Sequence, residues 1–132
     1  MPVPVELEEL RRAVGDLQKK IAKLRADAAT AAKRAAEELE TERVAQADHL
    51  QARAAMREVV TQDVVPMEDF ESAREFLHLT EDVATNAFLA RLRWERKESE
   101  ALLQIRQAEL DLQLADAAAA RWGLVLQFRA AP

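Results

Sequence analysis

The fold of this chain is decided by residues 7–24, which read LEELRRAVGDLQKKIAKL. Large apolar side chains recur there at alternating spacings of three and four residues, at Leu7, Leu10, Val14, Leu17, Ile21 and Leu24. Written as heptads, Val14 and Ile21 fall at position a, and the leucines at 10, 17 and 24 fall at position d. β-Branched residues at a with leucine at d favour two-stranded, parallel coiled-coil packing when helices associate. We therefore predict that the residues of this stripe form an oligomer seam.

Prolines divide the rest of the chain into long segments. They occur only at positions 2, 4, 66 and 132 and leave two long stretches without any. Because proline interrupts helices more strongly than any other residue, the sequence predicts helices over 5–61 and 68–122. The turn between them is predicted at 62–68, where Val65 precedes Pro66 and is pushed toward extended backbone.

The composition predicts more than an isolated pair of helices. The 132 residues include 27 alanines but only six aromatic residues, and small side chains bury little apolar area each. Beyond Leu39 the apolar repeat of the first helix degrades, whereas the second helix has a broad apolar face that includes Phe76, Phe88 and Leu92. A lone hairpin would leave part of that face in water. The predicted fold is therefore all-α: an elongated antiparallel two-helix hairpin like a coiled coil, oligomeric, in one helical domain spanning residues 1–132.

The tail, residues 123–132, has two interpretations. In one, Gly123 ends the helix, and Leu124, Leu126 and Phe128 then alternate with their neighbours as in a short strand. In the other, the helix continues and places Leu124 and Phe128 one turn apart. We expect three aromatic residues to anchor a protein partner: Trp94, Trp122 and Phe128.

Charge is distributed unevenly along the chain, whose formal net charge is −5. Residues 62–82 contain seven acidic residues against Arg74, whereas residues 11–34 contain eight basic residues against two acidic ones. The turn of the hairpin is therefore acidic, and a basic protein surface would be attracted to it. We predict an acidic tip formed by Asp63, Glu68, Asp69 and Glu71. The alternative is a solvated turn that binds nothing.

The string Glu68-Asp69-Phe70-Glu71-Ser72-Ala73 resembles the acidic tips of the hairpin regulators that enter RNA polymerase. The predicted outline is also similar to the stalk proteins of type III secretion and to helical proteins inside virions. These are similarities of shape, without a family motif matched residue by residue. The first implies a regulator that acts through its tip, and the others imply a structural subunit.

The chain offers little for catalysis. It contains no cysteine, so thiolate zinc sites and thiol nucleophiles are excluded. Ser72 and Ser99 are its only serines, and neither is flanked by the glycines that expose a catalytic serine on a sharp turn. We therefore predict no enzymatic activity, no catalytic residues and no cofactor. A pI near 5.2 argues against nucleic acid as a partner.

One spacing leaves a metal site open as an alternative. Glu75 and His78 form the Glu-x-x-His pattern of carboxylate-bridged metal sites in helical bundles. Such sites need two of these patterns, which only a dimer would supply. The favoured interpretation is an ordinary charged helix face with no metal ligand, and His49 is expected at the surface as well.

Hydropathy and the N-terminus bear on localisation. The sequence has no apolar run long enough to span a bilayer, and its first residues lack the pattern of a secretory signal. We expect no membrane insertion and a cytoplasmic protein, or one inside a particle assembled in the cytoplasm.

The sequence as a whole favours a non-catalytic structural or adaptor subunit. It would be a helical rod that oligomerises and links partners within a larger assembly of the secretion or virion type. Its expected partners are further copies of itself and other protein subunits. Two alternatives stay open: a regulator that binds a basic protein surface through its acidic tip, and a metal-binding helical oligomer.

Overall fold

Two helices make up the part of the chain that the structure describes. The computed structural model describes the backbone of residues 4–130 and the side chains of residues 4–124. Helix α1 spans Val5–Val60 and helix α2 spans Met67–Ala130. Within this described range there is no strand, and the two helices pack against each other. The predicted all-α class is confirmed.

Each helix begins directly after a proline. The backbone N–H of Leu7 donates to the carbonyl of Pro4 at 3.0 Å, and that of Phe70 donates to the carbonyl of Pro66 at 3.1 Å. Acidic residues occupy the first turns, namely Glu6 and Glu8 in α1 and Glu68 and Asp69 in α2. Negative charge is favourable at a helix N-terminus because the unpaired N–H groups carry partial positive charge. Proline and carboxylates together therefore fix where both helices start.

The turn between the helices continues the last hydrogen bonds of α1. The N–H of Thr61 donates to the carbonyl of Arg57 at 3.2 Å, and the N–H of Gln62 donates to the carbonyl of Val59 at 3.3 Å. The Thr61 hydroxyl donates to the carbonyl of Glu58 at 3.0 Å. These bonds satisfy carbonyls that the end of a helix would otherwise leave unpaired.

The chain divides into two compact units. Unit 1 consists of Met1–Thr30 and Glu98–Pro132, and so contains the first part of α1 and the second part of α2. Leu24 and Ala28 form a buried cluster there with Ala101 and Ile105. Arg25 donates to Glu109 at 3.1 Å across the same pair of helices.

Unit 2 consists of Ala31–Lys97 and contains the turn, so it is a helical hairpin. Two contacts between its helices show their direction. Arg91 binds Glu42, and Thr80 contacts His49. A later residue on α1 meets an earlier one on α2, so the helices of unit 2 are antiparallel.

Buried positions of α1 follow the heptad repeat through the whole helix. Residues at a and d beyond Leu24 are buried or half-buried as far as Val59. The apolar repeat degrades in the sequence beyond Leu39, but the buried positions keep the heptad spacing. Its later a and d positions include Glu42 and His49, whose polar side chains hide the repeat in the sequence.

The apolar core is built mostly from alanine. The buried alanines are Ala28, Ala31, Ala35, Ala45, Ala52, Ala73, Ala87, Ala101 and Ala108. In the described part of the chain no large side chain is fully buried, while many leucines and phenylalanines are exposed. Small side chains at a and d let two helices approach closely but remove little apolar area from water.

Neither helix, as far as it is described, contains a stretch apolar and long enough to cross a bilayer.

The tail is helical as far as the structure describes it. Helix α2 continues through Gly123 to Ala130, and Gly123 does not have a positive φ. The left-handed conformation by which glycine ends a helix is therefore absent at this position. Residues 131–132 lie outside the described part.

Replacing Gly15 by alanine is predicted to stabilise the protein by about 0.5–1 kcal/mol, because alanine loses less backbone freedom in a helix than glycine does. Gly15 lies inside α1, and a Cβ built on it meets no atom within 4 Å. Thermal unfolding followed by circular dichroism should give a higher melting temperature for Gly15→Ala. A lower one would mean that this surface of α1 needs the space that glycine leaves.

Candidate interaction surfaces

The predicted oligomer seam is buried within the single chain. Leu7, Ile21 and Leu24 are buried, and the other members, Leu10, Val14 and Leu17, are half-buried. Leu24 belongs to the buried cluster of unit 1 with α2 residues. The three buried side chains are thus covered within the chain, and a partner could reach them only after a local rearrangement, whereas the three half-buried ones are partly accessible. Their role in an oligomer stays a prediction.

A charged pair lies in the seam of unit 2. Glu42 is only 6% exposed and occupies an a position of α1. Arg91 of α2 donates from Nε to Glu42 Oε2 and from Nη2 to Glu42 Oε1, the latter at 3.5 Å. Gln46 donates to Glu42 Oε1 at 3.3 Å. A buried carboxylate is costly unless it is paired, and Arg91 supplies two donors in a planar fork that matches its two oxygens.

Arg91 is itself held by several groups. Its Nη1 donates to Glu95 Oε1 at 2.9 Å, and its guanidinium carbon lies 5.3 Å from the centre of the Phe88 ring. The hydrogen bonds that Arg91 donates, first to Glu42 and second to Glu95, raise the pKa of Arg91 above its ordinary value. Arg91 is therefore positively charged at neutral pH, as the pairing with the Glu42 carboxylate requires.

A second polar contact joins the helices of unit 2. His49 Nδ1 lies 3.2 Å from the hydroxyl of Thr80, and that hydroxyl lies 3.0 Å from the carbonyls of Phe76 and Leu77. A hydroxyl has one hydrogen to give, and Thr80 gives it to its own helix. His49 Nδ1 is therefore the donor in the contact between the helices. The expectation that His49 is a surface residue is wrong, because it is half-buried at an a position of the seam.

An apolar groove runs beside this contact in unit 2. Two open depressions of about 300 and 220 Å³ share Ala45, Asp48 and Val83. The larger side chains that line them are Val44, Phe76, Leu79 and Val83, all of them exposed. The groove is therefore a largely apolar surface with two acidic residues, Glu40 and Asp48, in its wall.

The predicted acidic tip lies at the turn of unit 2. Asp63 is in the turn itself, Glu68 and Asp69 are in the first turn of α2, and Glu71 follows one turn later. All four are exposed. Their proximity in sequence gives this end of the hairpin a negative surface.

The predicted aromatic anchors occupy different environments. Trp94 is half-buried in unit 2, where Lys97 Nζ lies 4.5 Å and Arg34 Cζ 5.9 Å from the ring centre. Trp122 is half-buried on α2 in unit 1. The backbone of Phe128 is helical, but its side chain lies outside the described residues. Cations over the Trp94 ring cover part of the surface that a partner would contact.

Glu75 and His78 are both exposed on α2, off the face that packs on α1. Across the described residues, no three His, Cys, Asp or Glu side chains are grouped so that they could hold a metal ion.

Sequence reasoning missed the polar contacts of the seam. Heptads counted on from Leu7 place Glu42 and His49 at position a, so the register contained the signal. The two residues were missed because they are polar, and the predicted seam included apolar residues alone. The partners Arg91 and Thr80 are 49 and 31 residues away in the chain.

Comparison with models of known protein families, with curated proteins and with solved structures finds no match for this chain.

Replacing Arg91 by methionine is predicted to lower the melting temperature by several degrees, since Glu42 would remain buried with Gln46 as its remaining described partner. The control is Arg93→Met, which makes the same change at an exposed position of the same helix. Replacing both partners, Glu42→Leu with Arg91→Met, should recover most of the loss, because no buried charge is then left unpaired. Equal melting temperatures for the two single variants would show that the pair does not contribute to stability.

Proposed function

We propose that this protein is a non-catalytic structural or adaptor subunit that associates with further copies of itself and with other protein subunits of a larger assembly. The observation that carries the proposal is the distribution of apolar side chains. Alanine occupies most of the core, while Leu and Val side chains are exposed on both units and Phe76 and Phe88 are exposed on unit 2. An exposed apolar area of this extent is typical of surfaces that other protein covers.

The exposed apolar residues form organised surfaces. In unit 2 they line the groove described above, between α1 and α2. In unit 1 exposed leucines recur along α2, including Leu103, Leu110 and Leu114. Helices that present apolar residues on an outer face in addition to their packed face need a second neighbour. We infer that association covers these outer surfaces while the seam stays within each chain.

The burial of the seam bears on how association would occur. Leu7, Ile21 and Leu24 are already buried within the single chain, Leu24 in a cluster with Ala101 and Ile105 of α2. Association through outer surfaces needs no opening of the helix pair, so it costs less than association through the seam. This supports a subunit that folds first and assembles afterwards.

The test is the mass of the purified protein in solution, measured by light scattering over a wide range of concentration at low and at high salt. We expect a multiple of the 14.8 kDa chain mass that persists at high salt, because apolar association is not screened. A mass that returns to one chain at high salt would indicate association through opposite charges. One chain mass at every concentration would contradict the proposal.

A second candidate function is a regulator that binds a basic protein surface through the acidic tip. It is favoured by the exposure of Asp63, Glu68, Asp69 and Glu71 at one end of unit 2. Exposed carboxylates of one sign steer and strengthen the encounter with a basic partner.

The variant Asp69→Ala with Glu71→Ala is predicted to weaken binding to a lysine-rich probe peptide at low salt, without changing the mass of the oligomer. The matched control is Glu9→Ala with Asp16→Ala, which removes the same charge from exposed positions of α1. Equal binding by both variants would show that net charge, and not the tip, attracts the peptide.

A further inference from the structure

Helix α2 carries a second heptad repeat on its outer face in unit 1. Two series of residues make up this repeat, each with a spacing of seven residues. One series is Leu103, Leu110, Ala117 and Leu124. The other is Gln107, Leu114 and Arg121, each of which lies four residues after a member of the first. Leu103 is 69% exposed, Leu110 53% and Leu114 71%. We call the exposed leucines at 103, 110, 114 and 124 the outer leucine stripe.

The stripe points away from the partner helix. The buried residues of α2 in unit 1 are Ala101, Ile105 and Ala108, which lie about half a turn around the helix from Leu103 and Leu110. The outer leucine stripe is therefore not part of the packing between α1 and α2.

The outer face of α1 in the same unit is different. Its exposed positions carry charged side chains such as Arg12, Lys19 and Lys23. A surface helix normally has such residues opposite its packed face. The leucines of α2 thus depart from what a helix exposed to water requires, and they do so with the spacing of a coiled-coil seam.

We propose that the outer leucine stripe is the contact between two copies of this chain, which pair through parallel α2 helices. In this register the leucines at 103, 110 and 124 take position d, and Leu114 takes position a. The inference deepens the proposed function and rests on it, because it names the surface and the direction of self-association.

Flanking charges favour a second copy in the parallel direction. With the leucines at d, Arg106 falls at position g and Asp111 at position e, five residues later. In a parallel coiled coil, g of one helix faces the e position five residues later on the other. Arg106 of each copy would therefore face Asp111 of the partner copy, and the two-fold symmetry makes this pair twice. Both residues are exposed, and neither takes part in the ion pairs found within the described side chains.

The antiparallel direction gains nothing from these charges. There g positions face g positions and e positions face e positions, so Arg106 and Asp111 do not meet. The parallel direction also brings Gln107 against its own copy at position a, where an amide pair fixes register. It brings Arg121 against its copy as well, and the long stem of arginine allows both guanidinium groups to reach water.

The experiment compares Leu110→Glu with Leu102→Glu. The two leucines are equally exposed, at 53% and 52%, but Leu102 lies off the stripe. Leu110→Glu should raise the dissociation constant of the dimer by about a hundredfold or more, because the symmetry places the carboxylate in the interface twice. Leu102→Glu should leave it unchanged. Sedimentation equilibrium gives both constants, and circular dichroism checks that the helix content of the two variants is the same.

Direction is tested with Leu103→Cys, since the natural chain has no cysteine. In the parallel pair the two thiols face each other, and mild oxidation should give a covalent dimer. In an antiparallel pair they lie at opposite ends of the stripe. The swap Arg106→Glu with Asp111→Arg should restore the dimer that Arg106→Glu alone weakens.

The outcomes separate this inference from the proposed function. If the natural chain associates and Leu110→Glu associates equally well, the outer leucine stripe is not the contact, and the proposed function stands. If Leu110→Glu abolishes the dimer but Leu103→Cys gives no covalent dimer, the parallel direction is wrong. A natural chain that is monomeric at every concentration overturns both.

Discussion

Close packing of small side chains between α1 and α2 is the constraint on which the rest of this protein depends. Alanine at a and d positions permits a tight contact but offers little apolar area, so the seam alone contributes modestly to stability. Only a few of the larger apolar side chains, such as Leu7, Ile21 and Ile105, are buried in this contact, and most of the others lie at the surface. The exposed leucines and phenylalanines therefore follow from the alanine seam, and the need for a covering partner follows from them.

Where alanine fills successive a and d positions, as at Ala28, Ala31 and Ala35, the seam specifies its register poorly. A shift by one heptad at these positions would exchange one alanine for another and lose little contact. Glu42 with Arg91, and His49 with Thr80, are satisfied in one alignment only. A shift would bury the Glu42 carboxylate without its two donors, which is far more costly than misplacing a methyl group. The polar contacts thus fix an alignment that the alanines merely permit. The exposed pair Arg43–Glu40 differs, because both residues lie on α1 and their bond, which lowers the pKa of Glu40, carries no information about α2.

Much of the fold could be predicted from the sequence, for reasons that are local. Pro66 and the carboxylates after it place the turn, and the stripe from Leu7 to Leu24 gives the packed face of α1. The polar members of the seam could not be found by following apolar residues; the heptad register places Glu42 and His49 at position a, but their partners Arg91 and Thr80 lie far along the chain. The heptad count also could not tell whether the stripe would be filled by the chain's own α2 or by another copy. That choice depends on the turn, which brings α2 close at a high effective concentration.

The position of the turn also orders the contacts by the length of chain between them. His49 and Thr80 are 31 residues apart, Glu42 and Arg91 are 49 apart, and Arg25 and Glu109 are 84 apart. Closing a longer loop costs more entropy, and each contact made near the turn shortens the loop that remains for the next. Pairing should therefore zip outward from Pro66, and unzip from the chain ends. The basic N-terminal segment of α1 would therefore pack against α2 last during folding, and its amide hydrogens would exchange first.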